Sequence, residues 1–364
     1  RHAEMLDKSG KLYTEALRTA RATDYYTCRG GAEETYEPRF TFHGFRYIEV
    51  NGLLPLGQTP PEDTATAIVT HTDLPFTGEF ECSNPMLNQL QSNIRWSQKG
   101  NFLEIPTDCP QRDERLGWTG DAQVFIRTAA FNMDVAPFFT MWMQDMTDAQ
   151  LPSGGIPSTV PFCVSIPNEG GPAWSDAVII CPWTVYLCYG DRRILAERWE
   201  TMTRFMDYLR REFPDFIRSH EKRSWGGYGD WLNQNAETPK DYIGTAFFAH
   251  CASLMSRIAS ILGKPEAAQD YAGLFGKIRD VFQRRFVTPD GLVVAQTQTA
   301  HVLALHFDLL PSQHRAKVLE SLVKDIESRG MHLSTGFVGT PYLAHVLTEG
   351  GRLDVAYALL EQTT

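Results

Sequence analysis

The hydrophobic and polar positions follow two different periods along the chain. Up to about residue 58 the apolar residues alternate in part and are rich in aromatic and β-branched types, so this stretch reads as β structure. Its clearest strand is Thr41-Phe42-His43-Gly44-Phe45-Arg46-Tyr47-Ile48-Glu49-Val50, closed by the Asn51-Gly52 turn signal. Thr59-Pro60-Pro61-Glu62-Asp63 reads as a connector, and one further strand is expected over 65–71. From Asn84 the period becomes helical, with Asn84 as a cap and Pro85 suited to the first helical position. Eleven helices are predicted, over 85–103, 121–133, 135–149, 175–189, 192–212, 240–262, 265–286, 297–309, 312–329, 341–349 and 352–363. Thr238-Pro239-Lys240-Asp241 reads as a capping box with proline in the first turn, and Thr340-Pro341 repeats the device.

The predicted helices are of two kinds. Asp176–Tyr189 and Tyr242–Ile258 are apolar nearly all round, which means burial. Arg192–Glu212, Glu266–Arg285 and Gln313–Arg329 are amphipathic, which means one face in water. Such alternation suits concentric helical layers, so the fold class expected is mainly α, an (α/α)6 barrel behind a β-sandwich remnant. The domain reading is the end of a β-sandwich over 1–58, a connector with a strand over 59–83, and the barrel over 84–364. Eleven helices are one fewer than a closed barrel needs, so the barrel is expected to be incomplete. The irregular spans 104–120, 151–174, 214–239 and 330–340 are where chemistry is expected, on loops carried by a rigid scaffold.

Composition narrows the function classes. The 364 residues are 43% hydrophobic and 21% charged, enough for a large core. A net charge of −10 and no basic run argue against nucleic acid and anionic membrane surfaces as partners. The longest apolar run, Val178–Tyr189, is shorter than the roughly 20 residues a membrane span needs. The seven cysteines include no CxxC pair, so free thiols are expected rather than a zinc site or a disulfide framework, with a lean towards a reducing, cytoplasmic compartment. The chain opens on Arg1-His2-Ala3 without an initiator methionine or an apolar leader, which reads as an internal start. His301 and His306 are five apart, off metal spacing on a helix, and no GxSxG elbow, P-loop or dinucleotide glycine pattern is present. No cofactor or metal is expected.

One segment carries chemistry. Asp108-Cys109-Pro110-Gln111-Arg112-Asp113-Glu114-Arg115-Leu116-Gly117-Trp118-Thr119-Gly120-Asp121 gathers four carboxylates, two arginines and a tryptophan in fourteen residues. A sugar offers hydroxyls to carboxylates and a C–H face to a tryptophan, and glycosidic cleavage needs a positioned carboxylic acid. Pro106 and Pro110 argue against helix before Gln111, and Gly117 and Gly120 argue against one after it. The acids are therefore expected on a loop, with Asp121 at or near the start of the next helix. The plainer alternative is a salt-bridged loop before a capped helix. A general acid must stay protonated near neutral pH, which neighbouring anions favour and which Arg112 and Arg115 oppose if they face Glu114.

This segment closely resembles the signature of the α-L-rhamnosidases of glycoside hydrolase family 78. Arg39–Tyr47 resembles the end of the β-sandwich preceding that family's barrel. Pro172-Ala173-Trp174-Ser175-Asp176-Ala177, Gly227-Tyr228-Gly229-Asp230-Trp231-Leu232 and Glu237-Thr238-Pro239-Lys240-Asp241 are also similar to family segments, in the right order. The resemblance implies inverting hydrolysis of terminal α-L-rhamnosides, on flavonoid conjugates or rhamnose-bearing polysaccharides. It implies Glu114 as general acid, Asp108 and Asp121 as binders of rhamnose hydroxyls, and Trp118 and Trp174 as aromatic walls. Arg112, Asp113, Asp230 and Trp231 join them as members of the substrate site. The family's general base is a glutamate in a Trp-Glu context after the last helices. No Trp-Glu follows Gly339, Trp199-Glu200 lies too early, and Glu361 is not assigned, with Glu169 and Glu237 as fallback bases. The base is thus expected beyond Thr364, and this polypeptide by itself is expected to hydrolyse poorly. Alternatives are a rhamnose-binding fragment without catalysis and another (α/α)6 carbohydrate-active enzyme.

Overall fold

The structure is a computed structural model that describes residues 1–31, 33–53, 58–163, 166, 169–219 and 226–364. Parts of the expected loops 151–174 and 214–239 lie outside the described residues. The chain divides into two compact units: 1–74 with 80–117, and 75–79 with 118–364. The division falls between Gly117 and Trp118, inside the acid-rich segment.

The first unit holds three short antiparallel ladders. β1 (His2–Ala3) pairs with β4 (Tyr47–Ile48), β2 (Met5–Leu6) with β3 (Leu12–Tyr13), and β5 (Phe102–Leu103) with β6 (Ile105–Pro106). The expected strand over 41–50 is thus cut to Tyr47–Ile48, and 65–71 forms no ladder among the described residues. Alternation prepares a strand, but a ladder also needs a partner, and only Tyr47 and Ile48 face one, in Ala3 and His2. Gly44 serves a different need, since a Cβ there would lie 2.8 Å from the Pro110 carbonyl carbon. Helix α1 (Pro85–Asn101) starts as predicted, with the Asn84 side chain accepting from the Met86 amide at 3.0 Å.

The second unit is helical: α2 (Thr119–Asn132), α3 (Ala136–Asp148), α4 (Ala177–Tyr189), α5 (Arg192–Glu197), α6 (Trp199–Glu212), α7 (Lys240–Ile261), α8 (Pro265–Phe286), α9 (Gln298–His306), α10 (Ser312–Ser328), α11 (Thr340–Glu349) and α12 (Leu353–Leu360). With α1 these make twelve α-helices among the described residues, one more than predicted, because 192–212 is two helices. Arg198 stands at the break, buried, its guanidinium donating to Gln144 Oε1 (2.5 Å) and Thr147 Oγ1 (3.1 Å) on α3. Periodicity cannot show such a tertiary anchor. Helices α2, α4, α7, α9 and α11 pack on one another in chain order, and α3, α6, α8, α10 and α12 pack against that inner row. Ala177–Val185 of α4 and Gln298–Leu305 of α9 are buried all round, whereas α8 buries the single stripe Tyr271, Leu274, Ile278, Phe282 and Phe286. The two predicted kinds of helix are the inner and outer layers of an α/α arrangement.

Two predicted caps are replaced. Thr238 does not cap α7; its hydroxyl pairs with Thr297 Oγ1 at 2.6 Å, and the Asp241 carboxylate takes the Tyr242 amide instead. Thr340 is the first helical residue of α11 and its hydroxyl meets Thr335 Oγ1 at 2.7 Å. In both cases another threonine hydroxyl takes the place of the local amide. All seven cysteines are free, and no helix among the described residues is long and apolar enough to cross a membrane.

Candidate active site

In the first unit the acid-rich loop follows the β5–β6 hairpin and closes on itself. The Asp108 amide donates to the Leu116 carbonyl (3.1 Å), and the Leu116 amide donates to Asp108 Oδ1 (2.9 Å). This pinch holds Asp108 nearly buried and presents the intervening residues as a compact loop. Glu114 is part-buried, and two guanidiniums converge on its Oε2: Arg112 at 2.8 Å and Arg18 at 2.8 Å. Arg112 also lies 3.7 Å from Asp108 Oδ2. No partner is seen for Glu114 Oε1 among the described residues. Arg115 turns away; it donates to the Phe42 carbonyl (3.1 Å) with its guanidinium 4.6 Å from the centre of the Phe42 ring. Asp113 is exposed and accepts from the Thr19 hydroxyl.

Sequence reasoning left open which arginines face Glu114, and it missed Arg18 and Thr19. They lie more than ninety positions earlier, at the end of a 3-10 turn over Glu15–Leu17. Arg18 has φ 55°, a left-handed conformation that a non-glycine residue rarely adopts. No sequence signal marks it. Burial would lower the Arg112 guanidinium, but the adjoining Cys109, Glu114 and Asp108 groups raise it, and the net shift is upward. The Cys109 thiol is pushed up to about 11 by burial, with the neighbouring Asp108 adding to the shift. Asp108, Cys109 and Glu114 bring one potential ligand atom each within 4.8 Å of one another. Arg112 and Arg18 supply the balancing positive charge there, and the thiol is protonated, which is a poor donor set for a metal.

In the second unit the segment continues into α2. Trp118 bridges Thr159, and the Thr119 amide and hydroxyl both donate to the Ser158 carbonyl, at 2.9 and 3.0 Å. Gly120 is therefore inside the helix, not a breaker of it. Its role is close approach, because a Cβ there would lie 2.5 Å from Trp174 Nε1 and 2.6 Å from its Cδ2. Asp121 falls in the first turn of α2, as expected.

Tyr228 joins the tryptophans. Its ring centre lies 5.4 Å from Trp118, 4.7 Å from Trp174 and 6.3 Å from Trp231, and its hydroxyl donates to Ser158 Oγ at 3.1 Å. Trp174 also stacks on Phe337, with ring planes 2° apart. Buried Nε1 atoms of both Trp118 and Trp174 lack a hydrogen-bond partner among the described residues. Unmet indole donors beside flat aromatic faces suit a hydroxylated ligand. Trp231 is half exposed.

Asp230 has a different place. Its carboxylate accepts from Thr299 Oγ1 (2.5 Å) and from the amides of Gly336 (2.9 Å) and Val338 (3.0 Å), and it is buried. Its acceptors are spent on tying the 226–239 loop to the 334–339 loop. Asp176, assigned no role by sequence, anchors Trp174 in a similar way. It accepts from Arg218 Nη1 at 2.7 and 2.9 Å and from the Ala173 amide at 2.6 Å, and Cys251 Sγ lies 3.2 Å away. An acid two residues past a signature tryptophan was the available signal; Arg218 had none. Of the fallback bases, Glu237 is exposed and Glu169 is part-buried.

An inner and outer helical layer, a carboxylate loop and a tryptophan–tyrosine group belong to a class of α/α glycosidase folds. Residues 75–364 match the bacterial α-L-rhamnosidase six-hairpin glycosidase domain, and residues 1–71 match the bacterial α-L-rhamnosidase concanavalin-like domain. The chain belongs to the bacterial α-L-rhamnosidase family. It is 49% identical to an α-L-rhamnosidase of Streptomyces avermitilis over all of its own length and 34% of that protein's. A crystal structure of the Streptomyces avermitilis α-L-rhamnosidase complexed with L-rhamnose superposes with a TM-score of 0.95 over the same shares. An α-L-rhamnosidase of Formosa agariphila is 41% identical over 100% of this chain and 39% of the relative. The structure of the Dictyoglumus thermophilum α-L-rhamnosidase matches with a TM-score of 0.92 at 38% identity, over 100% of this chain and 41% of that one. The chain thus spans about a third to two fifths of the length of these relatives.

Proposed function

We propose that the protein to which these residues belong hydrolyses terminal non-reducing α-L-rhamnose from α-L-rhamnosides, with inversion, using Glu114 as the general acid. The observation that carries the reading is the full-chain similarity, at 49% identity, to an enzyme whose crystal structure holds L-rhamnose. Within this chain the reading draws on the acid loop. Arg18 and Arg112 hold Oε2 of Glu114 from one side, and Oε1 is left to reach a glycosidic oxygen. Asp108 on the acid loop and Asp121 on α2 are each proposed to bind rhamnose hydroxyls, with Arg112 and Asp113 shaping the loop around Asp108. Trp118 and Trp174 are proposed as walls for the C–H faces and the C6 methyl of the sugar, their indole N–H groups serving as donors. Trp231 extends that aromatic surface through Tyr228, and Asp230 supports it by fixing the loop that carries both.

Inversion needs a second carboxylate roughly 6.5–9.5 Å from the acid to activate water. No carboxylate of this chain is assigned that role. A second reading, rhamnose binding without turnover, draws on the unmet indole donors of Trp118 and Trp174, which serve binding whether or not a proton is transferred. Hydrolysis of an aryl α-L-rhamnoside, measured beside calorimetry with L-rhamnose, separates the two. Turnover that falls about 10²–10⁴-fold in Glu114→Gln supports the acid assignment. NMR of the first-formed sugar anomer tests inversion. Binding without hydrolysis selects the second reading, and unchanged turnover in Glu114→Gln removes Glu114 from the mechanism.

A further inference from the structure

We infer that His2, Asp24 and His43 form a binding site for a divalent transition-metal ion of the zinc type. Three segments that are remote in sequence converge there within the first unit. The β1–β4 ladder sets His2 opposite Ile48, and His43 lies just ahead of that strand. The 20–24 segment brings Asp24 to them. His43 Nε2 lies 3.0 and 3.2 Å from the two Asp24 oxygens, and His2 Nδ1 lies 3.9 Å from Asp24 Oδ2. One ligand atom from each of the three residues falls within 4.8 Å of the others. The two imidazoles stack with centres 4.2 Å apart and planes 20° apart, and Phe45 packs on the His2 ring at 4.9 Å. All three side chains are part-buried, with 16–22% of their surface exposed.

Two imidazole nitrogens and one carboxylate oxygen are a familiar zinc donor set, with water completing four-coordination. At zinc–nitrogen and zinc–oxygen distances of about 2.0–2.2 Å, two ligand atoms on one ion lie at most about 4 Å apart. The carboxylate–imidazole separations of 3.0 and 3.9 Å already meet that limit. The segment that presents Asp24 holds Ala22 at φ 42°, a left-handed conformation for a residue with a Cβ. The Ala22 carbonyl accepts from the His2 amide at 3.0 Å, which fixes this segment to β1, and it lies 3.2 Å from His2 Nδ1, a hydrogen bond that ligation through Nδ1 would replace. Strain of this kind persists where surrounding contacts enforce it and gathers at ligand clamps. A bound ion clips residue 2 to residues 24 and 43 and stabilises the unit by linkage.

The test is calorimetric titration of the chelator-treated chain with zinc chloride, followed by thermal unfolding with and without zinc. The expected result is one saturable site and a zinc-dependent rise in Tm. Affinity is expected to fall at least about tenfold, and the Tm rise to vanish, in Asp24→Ala and in His43→Ala. Cys109→Ala is expected to leave both unchanged, which separates this site from the Asp108–Cys109–Glu114 group. Where an alanine variant unfolds, Asp24→Asn and His43→Gln carry the same comparison, checked by far-ultraviolet circular dichroism. The absence of saturable zinc binding, or binding that survives the Asp24 and His43 substitutions, overturns the inference.

Discussion

Two carboxylates in this molecule meet arginines at nearly the same distance in opposite surroundings. Arg218 meets Asp176 at 2.7 Å with both side chains buried. Arg18 and Arg112 meet Glu114 at 2.8 Å, with 57% of the Arg18 side chain and 20% of Glu114 exposed. In the first pair Ser175, Ala173 and Cys251 add further partners in a buried setting, so the group is closed to solvent. In the second, one carboxylate oxygen is left for another partner. A closed, desolvated pair is scaffold, because opening it strands a charge. An open pair holds its carboxylate in place while leaving one oxygen accessible to a ligand. Distance alone does not distinguish the two uses; burial and the count of further partners do.

The comparison breaks first at Asp176. Asp176→Ala is expected to cost about 3–5 kcal/mol by urea unfolding, because it leaves Arg218 buried and unpaired. Glu114→Ala is expected to cost less than about 1 kcal/mol in the same measurement, since exposed pairs contribute little. Equal losses would erase the distinction between scaffold and site. Asp230→Ala comes next, at about 3 kcal/mol, because the Gly336 and Val338 amides lose a buried acceptor. A neutral effect there would return Asp230 to the group of residues free to bind ligand.

Acid sensitivity sharpens the contrast further. Burial pushes His250, stacked on Phe307, down to about 3, with His306 and Arg257 adding to the shift. The unfolded chain binds this proton with a value near 6.5. Between about pH 6.5 and 3 the unfolded state therefore holds more protons, and stability falls on acidification by about 1.4 kcal/mol per pH unit for this group. Above pH 6.5 it contributes no slope. His250→Gln is expected to flatten the decline of stability between pH 6.5 and 4 by up to that amount. The smallest effect is at Cys109. Raised to about 11, it is expected to resist iodoacetamide at pH 8, while the exposed Cys28 reacts, as read by mass spectrometry.

Much of the helical scaffold was legible because its signal is local. The two hydrophobic patterns on α4 and α8 repeat over a few turns and state which layer each helix joins. Asn84-Pro85 marks the start of α1 through a side chain and an amide two residues apart. The composition of 108–121 announces a loop of acids beside a tryptophan. Long-range partners were not legible. The strand over 41–50 shrinks to two residues because a ladder is made by its neighbour. Arg192–Glu212 breaks at Arg198 because Gln144 and Thr147 bind its guanidinium.

The sequence by itself determined the alternating helical layers, the family, and the residue types gathered around Glu114, since each depends on spacing along the chain. Tertiary structure alone decided that Arg18 and Arg112, not Arg115, hold Glu114. It alone decided that Gly120 yields its place to the Trp174 ring and that Asp230 spends its oxygens on backbone amides. These outcomes depend on which groups meet in space and how much water remains between them, and neither is written in the spacing of residues along a chain.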